Sequence, residues 1–105
     1  RRPVDRAVVT HPATFSLDRR DKLREAALRA GFREVELVAE PVAAAGAFVR
    51  SGREAGSHVL VYDFGAGTFD LARVARGADG AFRLTSDPVG LPRCGGDDFD
   101  RALYD

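Results

Sequence analysis

Apolar residues recur in short blocks along the chain, and the spacing within each block predicts an element. Residues 7–10 (AVVT) are continuously apolar, which is typical of a buried strand, and the run ends before Pro12. A helix is predicted from Asp18, acting as its cap, to about Ala30, because apolar residues recur three and four positions apart on one face. Gly31 follows, where the end of a helix favours a left-handed residue.

The same alternation of strand and helix follows in the next block. Residues 35–39 are predicted to form a second short strand. A helix then opens at Glu40, with Pro41 at the first helical position, and closes at Gly52. The polar, glycine-containing stretch 51–57 is the predicted boundary between two half-domains.

The second half of the chain is predicted to be richer in strands. The run at residues 59–62 (VLVY) is almost continuously apolar and predicts a strand buried on both faces. Residues 71–76 and 81–85 flank a Gly-Ala-Asp-Gly sequence at 77–80 that is typical of a hairpin. After residues 95–98, apolar positions at helical spacing predict a last helix. The order β-α-β-α followed by β-β-β-α indicates α/β layers.

Composition narrows the function classes. The 16 basic and 16 acidic residues give a net charge of zero, which argues against a nucleic-acid surface. Cys94 is the only cysteine, so a reducing compartment and a cytoplasmic location are expected. His11 and His58 lack metal-ligand spacing, and no apolar run is long enough to span a membrane. Because the sequence lacks methionine, Arg1 is not expected to be a natural start, and the chain is expected to be a piece of a larger domain.

The most informative motif follows the apolar run at 59–62. Asp63 comes first, then a turn of small residues at 65–67, then Thr68 and a second acid, Asp70. A carboxylate at the end of a buried strand needs water, a cation or hydrogen bonds. Small residues let backbone N–H groups approach an anion closely, and a hydroxyl adds a further donor. The pattern predicts a metal–phosphate site; the alternative is a hairpin turn that merely needs glycine.

Glu40 is a second candidate. The position at which a helix starts favours Ser, Thr, Asp or Asn, so glutamate there is a poor cap. Its charge suits a helix N-terminus, which is the structural explanation. The functional explanation is a carboxylate at the mouth of a cleft that orients a water or the hydration shell of a metal.

Five motifs in order carry a resemblance to a known family. They are VVTHPATF, a helix ending in ALRAGF, LVAEPVAAAGAF, VLVYDFGAGTFDLARV and CGGDDFDRAL. The chain resembles the nucleotide-binding domain of the seventy-kilodalton heat-shock chaperones of the DnaK type, within the actin, hexokinase and heat-shock ATPase superfamily. The resemblance implies part of an α/β actin-like ATPase fold (ribonuclease H-like). Residues 1–52 would end its first lobe, and residues 53–105 would start its second.

The resemblance also implies site residues. Asp63 would hold the hydration shell of a magnesium ion on ATP or ADP, and Asp70 would help to bind a monovalent cation, commonly potassium. Glu40 would position the water that attacks the γ-phosphate. The second phosphate loop would consist of Gly65, Ala66, Gly67 and Thr68, and Thr68 is also the family's autophosphorylation position. Pro12 and Arg20 match positions that pass nucleotide state to the peptide-binding domain.

The function implied is ATP hydrolysis that drives peptide binding and release in a parent protein, with unfolded peptides and co-chaperones as partners. The fragment alone is expected neither to fold stably nor to hydrolyse ATP, since the first phosphate loop lies outside it. Departures from the family pattern are Ala66 for glycine, Asp97 for glutamate, and His11 and Thr14 beside Pro12. They leave open a non-hydrolysing regulatory module. An actin-like filament protein or sugar kinase is the other alternative.

Overall fold

The computed structural model describes residues 4–52 and 56–104 and has mixed α/β architecture. Two sheets are arranged around one central helix, with the parallel pair formed by the first half of the chain and the antiparallel sheet by the second. The elements are β1 (Arg6–His11), α1 (Leu17–Arg29), β2 (Glu34–Ala39), α2 (Glu40–Arg50), β3 (His58–Phe64), β4 (Thr68–Arg76), β5 (Phe82–Leu84), β6 (Val89–Pro92) and α3 (Gly96–Tyr104).

The first half confirms the predicted order of strand, helix, strand and helix. β1 and β2 pair in parallel, from Arg6 opposite Glu34 to His11 opposite Ala39, with α1 as the crossover. The cap of α1 was wrongly predicted. Ser16, not Asp18, is the N-cap, because its Oγ accepts the N–H of Arg19 at 3.4 Å. Asp18 instead lies in the first turn and pairs with Lys22 at 2.8 Å. Gly31 has φ +104°, as expected of a left-handed residue after a helix.

α2 is the helix on which both sheets meet. Its N-cap is Ala39, which makes no side-chain cap hydrogen bond, so Glu40 is a residue of the first turn rather than the cap. Small side chains along α2 let the helix approach the second sheet closely. Ala45 of this helix forms the core with Val74 and Phe82. Partly buried aliphatic side chains of α2, β3 and β5 surround that core: Val42, Val49, Val59, Val61 and Leu84. The helix ends near Gly52, at φ +80°.

The second half is an antiparallel sheet in which β4 is central. β3 pairs with β4, β5 pairs with one end of β4 and β6 with the other. The hairpin at 77–80 is confirmed by the hydrogen bond from the N–H of Gly77 to the carbonyl of Ala81 at 2.8 Å, and Gly80 has φ +79°. β6 was missed, since glycine and proline in VGLP signal a loop. An edge strand tolerates them.

β3 is not buried on both faces, contrary to the prediction from its apolar run. Val59 and Val61 pack towards α2, whereas Leu60 and Tyr62 on the other face are 52% and 66% exposed. The reason is that α2 covers only one face of this sheet within the described residues. The predicted half-domain boundary includes residues 53–55, which lie outside the described residues. In the part of the chain that is described, no helix has the length and apolar character needed to cross a membrane.

Candidate functional site

Two carboxylates face each other at the turn end of the β3–β4 hairpin. The antiparallel register places Asp63 directly opposite Asp70. Asp63 also shares a face of β3 with Val59 and Val61, so it continues the face that packs on α2. Directly opposed like charges destabilise a sheet unless something between them compensates. The hairpin therefore builds a site with a net attraction for cations.

Glu40 adds a third carboxylate from the first turn of α2. Burial raises the pKa of Glu40, and the negative charges of Asp63 and Asp70 raise it further, while His11 acts in the opposite direction. Glu40, Asp63 and Asp70 also line one small cavity of about 10 Å³, whose other lining residues are apolar. A space of that size is about that of one water molecule. The structure thus brings together three of the predicted site residues from three different elements.

His11 lies beside this cluster and is its one neighbour that lowers the pKa of Glu40. At 4% exposure it is the one buried polar side chain among the described residues. Its Nδ1 lies 2.8 Å from the carbonyl oxygen of Pro12, and its ring stacks on Phe15 with centroids 6.2 Å apart. The β1–β2 register sets His11 opposite Ala39, the residue before Glu40. The sequence indicated His11 only as a histidine without metal-ligand spacing and as a departure from the family pattern, because its proximity to Glu40 arises through strand pairing.

The arrangement suits a hydrated cation better than a dehydrated one. Across residues 4–52 and 56–104, no group of three or more His, Cys, Asp or Glu side chains is close enough to enclose a metal directly. Mg²⁺ retains several waters and needs only one or two carboxylates beside its phosphate ligands. The donor set of Asp63 and Glu40 therefore fits magnesium bound through water.

The turn at 65–67 is compatible with both interpretations of the motif, a hairpin turn and an anion-binding turn. It closes the β3–β4 hairpin, with the N–H of Gly65 donating to the carbonyl of Thr68 at 2.9 Å. Within the described residues, the N–H groups of Ala66 and Gly67 donate to no carbonyl and so are available to an anion. Ala66 does not have a positive φ, so it fits the turn without the strain that a left-handed alanine would bring.

The start of α3 fixes this turn from the other side. The N–H groups of Gly96 and Asp97 donate to the carbonyls of Gly65 and Ala66 at 2.9 and 2.8 Å. A Cβ on Gly95 would lie 2.7 Å from the nitrogen of Gly67 and would clash with the backbone of Ala66. Glycine is therefore required at position 95 by close approach. The carbonyl groups of the turn are used for support, which leaves the N–H groups for a ligand.

Asp98 holds the first turn of α3. Its Oδ2 accepts the N–H of Gly95 at 2.9 Å, the reciprocal half of a capping box. This role was missed, although the spacing of three residues between Gly95 and Asp98 could have suggested it. Asp97 reaches the turn at 65–67 through its backbone N–H, which any residue other than proline supplies.

Thr68 lines a larger pocket, to which β6 also contributes. The pocket has a volume of about 350 Å³ and is lined by Thr68, Asp70 and β6 on one side and by residues 12–19 on the other. Gly90 of β6 pairs with Asp70, and a Cβ there would lie 2.7 Å from Oδ1 of Asp70. A larger residue at position 90 would therefore displace the carboxylate of Asp70, an effect that the local sequence does not indicate.

Pro12 and Arg20, the two predicted allosteric residues, belong to one turn. The carbonyl of Pro12 accepts the N–H of Phe15 at 3.0 Å, and Nε of Arg20 donates to the carbonyl of Phe15 at 2.9 Å. Pro12 lines the pocket beside Thr68, whereas Arg20 lines a separate groove of about 520 Å³ against residues 84–88. The turn therefore lies between the carboxylate site and a second surface.

The comparison with protein families identifies the family of the chain. A family model described as Hsp70 protein matches residues 1–105. That family has the actin-like ATPase fold, binds nucleotide, typically with magnesium, and comprises chaperones that act on peptide clients with co-chaperones. The motifs and the described α/β architecture are in accord with this match. The chain belongs to the Hsp70 family.

Proposed function

We propose that this chain supplies the second phosphate loop and the water-positioning carboxylates of an ATPase that drives peptide binding and release. The observation that carries the proposal is the convergence of Glu40, Asp63 and Asp70 beside a turn with unpaired N–H groups. Residues 1–52 would end the first lobe of the domain, and residues 53–105 would start the second.

Each side chain has a distinct task in this proposal. The N–H groups of residues 65–67 and the hydroxyl of Thr68 bind the β- and γ-phosphates of ATP or ADP. Asp63 holds the hydration shell of magnesium, and Asp70 holds a monovalent cation such as potassium. When bound, magnesium neutralises the charge that accumulates on the phosphate oxygens. Phosphoryl transfer needs such positioning more than covalent participation by the protein.

Glu40 is the residue that orients the attacking water. Its carboxylate accepts a hydrogen bond from that water, and its raised pKa makes it a better proton acceptor than an ordinary glutamate. Glu40 is partly buried, and His11 counteracts part of the rise in its pKa that Asp63 and Asp70 cause. Loss of the Glu40 carboxylate would therefore impair ATP hydrolysis more strongly than it impairs nucleotide binding.

A non-hydrolysing regulatory module is the second candidate, suggested by the departures from the family pattern. Two of these departures, Ala66 and Asp97, give this candidate little support. Ala66 is unstrained, and Asp97 contacts the turn through its backbone alone. The turn at His11 and Thr14 still favours this candidate. These two residues flank Pro12 and differ from the family pattern, so the allosteric role of Pro12 is less secure than that of a residue in an unaltered turn.

The wider biology follows from the same proposal. Unfolded peptides and co-chaperones are the proposed partners of the complete protein, and the cytoplasm is its proposed location, as the single cysteine predicts. Pro12 and Arg20 are proposed to transmit nucleotide state, since their shared turn lies between the carboxylate site and the groove at residues 84–88.

The test is turnover by the complete protein that contains this chain. Asp63→Asn and Glu40→Gln are each expected to lower ATP hydrolysis by about 10²-fold or more while leaving nucleotide binding measurable. Asp21→Asn and Glu25→Gln, on exposed positions of α1, are the matched controls and should hydrolyse ATP normally. If the wild-type protein binds ATP without hydrolysing it above background, the regulatory candidate is correct instead.

A further inference from the structure

The pocket of about 350 Å³ beside Thr68 contains a cation that the roles above leave unused. Arg19 lines it from the first turn of α1, and Thr68 and Asp70 of β4 line the same pocket. Thr14 supplies a second hydroxyl on the same side as Arg19. A volume of this size lies at the small end of the range for sites that hold small molecules.

Arg19 is held in place but not neutralised. Its guanidinium lies over the ring of Phe15, 5.6 Å from the centroid, which limits its rotamers by a cation–π contact. Among the described residues its guanidinium forms no salt bridge, unlike Arg29 on the same helix, which pairs with Glu25. Asp70 lines the same pocket, yet the two charges are not within ion-pair distance of each other. The pocket therefore presents an exposed guanidinium that contacts the ring of Phe15 and has no salt-bridge partner among the described residues.

We propose that Arg19 binds the terminal phosphate of ATP in this pocket, an assignment that rests on the proposed nucleotide site. If the turn at 65–67 binds the β-phosphate, the next phosphate lies towards Thr68, whose side chain lines the pocket that Arg19 also lines. Guanidinium groups bind phosphate through paired N–H donors, and the hydroxyl groups of Thr14 and Thr68 add two more. A cation held by Asp70 would separate its carboxylate from the phosphate.

The consequence is discrimination between ATP and ADP. Only ATP places a phosphate group within the pocket, so only ATP would gain the contact with Arg19. Loss of a charge-assisted hydrogen bond weakens binding by about tenfold or more. The inference therefore predicts that Arg19 sets the ratio of the two affinities and contributes little to ADP binding itself.

The experiment measures ATP and ADP dissociation constants for the complete protein by calorimetry, with an ATP analogue that resists hydrolysis as a second probe. Arg19→Gln should weaken ATP by about tenfold or more and leave ADP unchanged. Arg29→Gln, the same substitution at the other end of α1, should change neither constant. Arg19→Lys should give an intermediate loss, because it keeps the charge without the planar paired donors.

The outcomes separate this inference from the proposed function. If Arg19→Gln weakens ATP and ADP equally, or changes neither, Arg19 does not bind the terminal phosphate and the inference is wrong. If the wild-type protein binds neither nucleotide, the proposed function is itself wrong. An ATP-specific loss that Arg19→Lys partly restores supports the inference, because a purely structural role for the Phe15 contact would not distinguish the two nucleotides.

Discussion

Replacing Asp63 with asparagine should stabilise the metal-free protein while removing its catalytic function. The substitution keeps the shape of the side chain but removes one of two charges that face each other across β3 and β4. A directly opposed like-charge pair costs about 0.2–1 kcal/mol, so the variant should gain about that much free energy of unfolding without a cation. A residue whose loss raises stability but abolishes activity is typical of a functional site.

The gain should depend on pH through Glu40. Because burial, Asp63 and Asp70 raise the pKa of Glu40 above 4.5 in the folded state, the protonated form is favoured by folding. That contribution to stability is complete below the unfolded value and is lost as the pH rises through the raised value. Asp63→Asn removes one of the two charges that raise the pKa of Glu40. The variant should therefore lose less stability than wild type as the pH rises through that pKa. Its advantage over wild type should therefore grow from acidic to neutral pH.

The assay is denaturant unfolding of the complete protein in a chelator, at a pH below 4.5 and at neutral pH, with Asp21→Asn as the control. Adding magnesium should then stabilise wild type more than the variant, because a ligand stabilises the state that binds it. If Asp63→Asn destabilises the protein in the chelator, or gains the same amount at both pH values, then the three carboxylates are not electrostatically coupled as described.

Three further predictions concern the turn and the isolated chain. Gly95→Ala should destabilise the protein by about 1–3 kcal/mol and weaken nucleotide binding, because the new Cβ meets the backbone of Ala66; unfolding and binding measurements that match wild type would refute this. Ala66→Gly should leave nucleotide affinity unchanged and cost about 0.4–1 kcal/mol, since the φ of Ala66 is not positive; tighter binding in titrations would show hidden strain. The isolated 105-residue chain exposes 7891 Å², against about 5,700 Å² for a folded monomer of its mass, so calorimetry should find no cooperative unfolding. It should also show no ATP turnover, and a sharp transition with turnover would contradict that prediction.

Local signals were sufficient for most of the fold. Pro41 marked the start of α2, Gly31 marked the end of α1, and the glycines at 77–80 marked a hairpin, because each requires a particular backbone conformation. The predictions were wrong where contacts with neighbouring residues determine the local structure. Ser16 and Asp18 are both good caps, and only the Oγ contact with the N–H of Arg19 distinguishes them.

The strands of the second sheet show a different limit. The apolar run of β3 records which residues tolerate burial, but the number of covered faces depends on what packs against each one. β6 has little intrinsic preference for a strand, and it forms because β4 offers an unpaired edge. Both features depend on tertiary contacts that periodicity does not encode.

The candidate site was predictable where its residues are adjacent in sequence. Asp63, the small-residue turn and Thr68 form one continuous motif, and their chemistry indicated a phosphate site. His11 and Gly90 reach the site through strand pairing, with Ala39 and Asp70 respectively, so neither carried a local signal. Glu40 was singled out as a poor cap, although the N-cap is Ala39, and its coupling to Asp63 and Asp70 arises from the packing of α2.

The geometry of the hairpin explains why turn and acids must occur together. The register that puts Asp63 opposite Asp70 is set by the length of the turn between them. A turn longer or shorter by one residue would move one acid to the other face of the sheet, away from Glu40. The repulsion between the two carboxylates is therefore inherent in the turn at 65–67. The short turn that exposes the N–H groups of Ala66 and Gly67 also sets Asp63 opposite Asp70, so nucleotide and metal are expected to bind together.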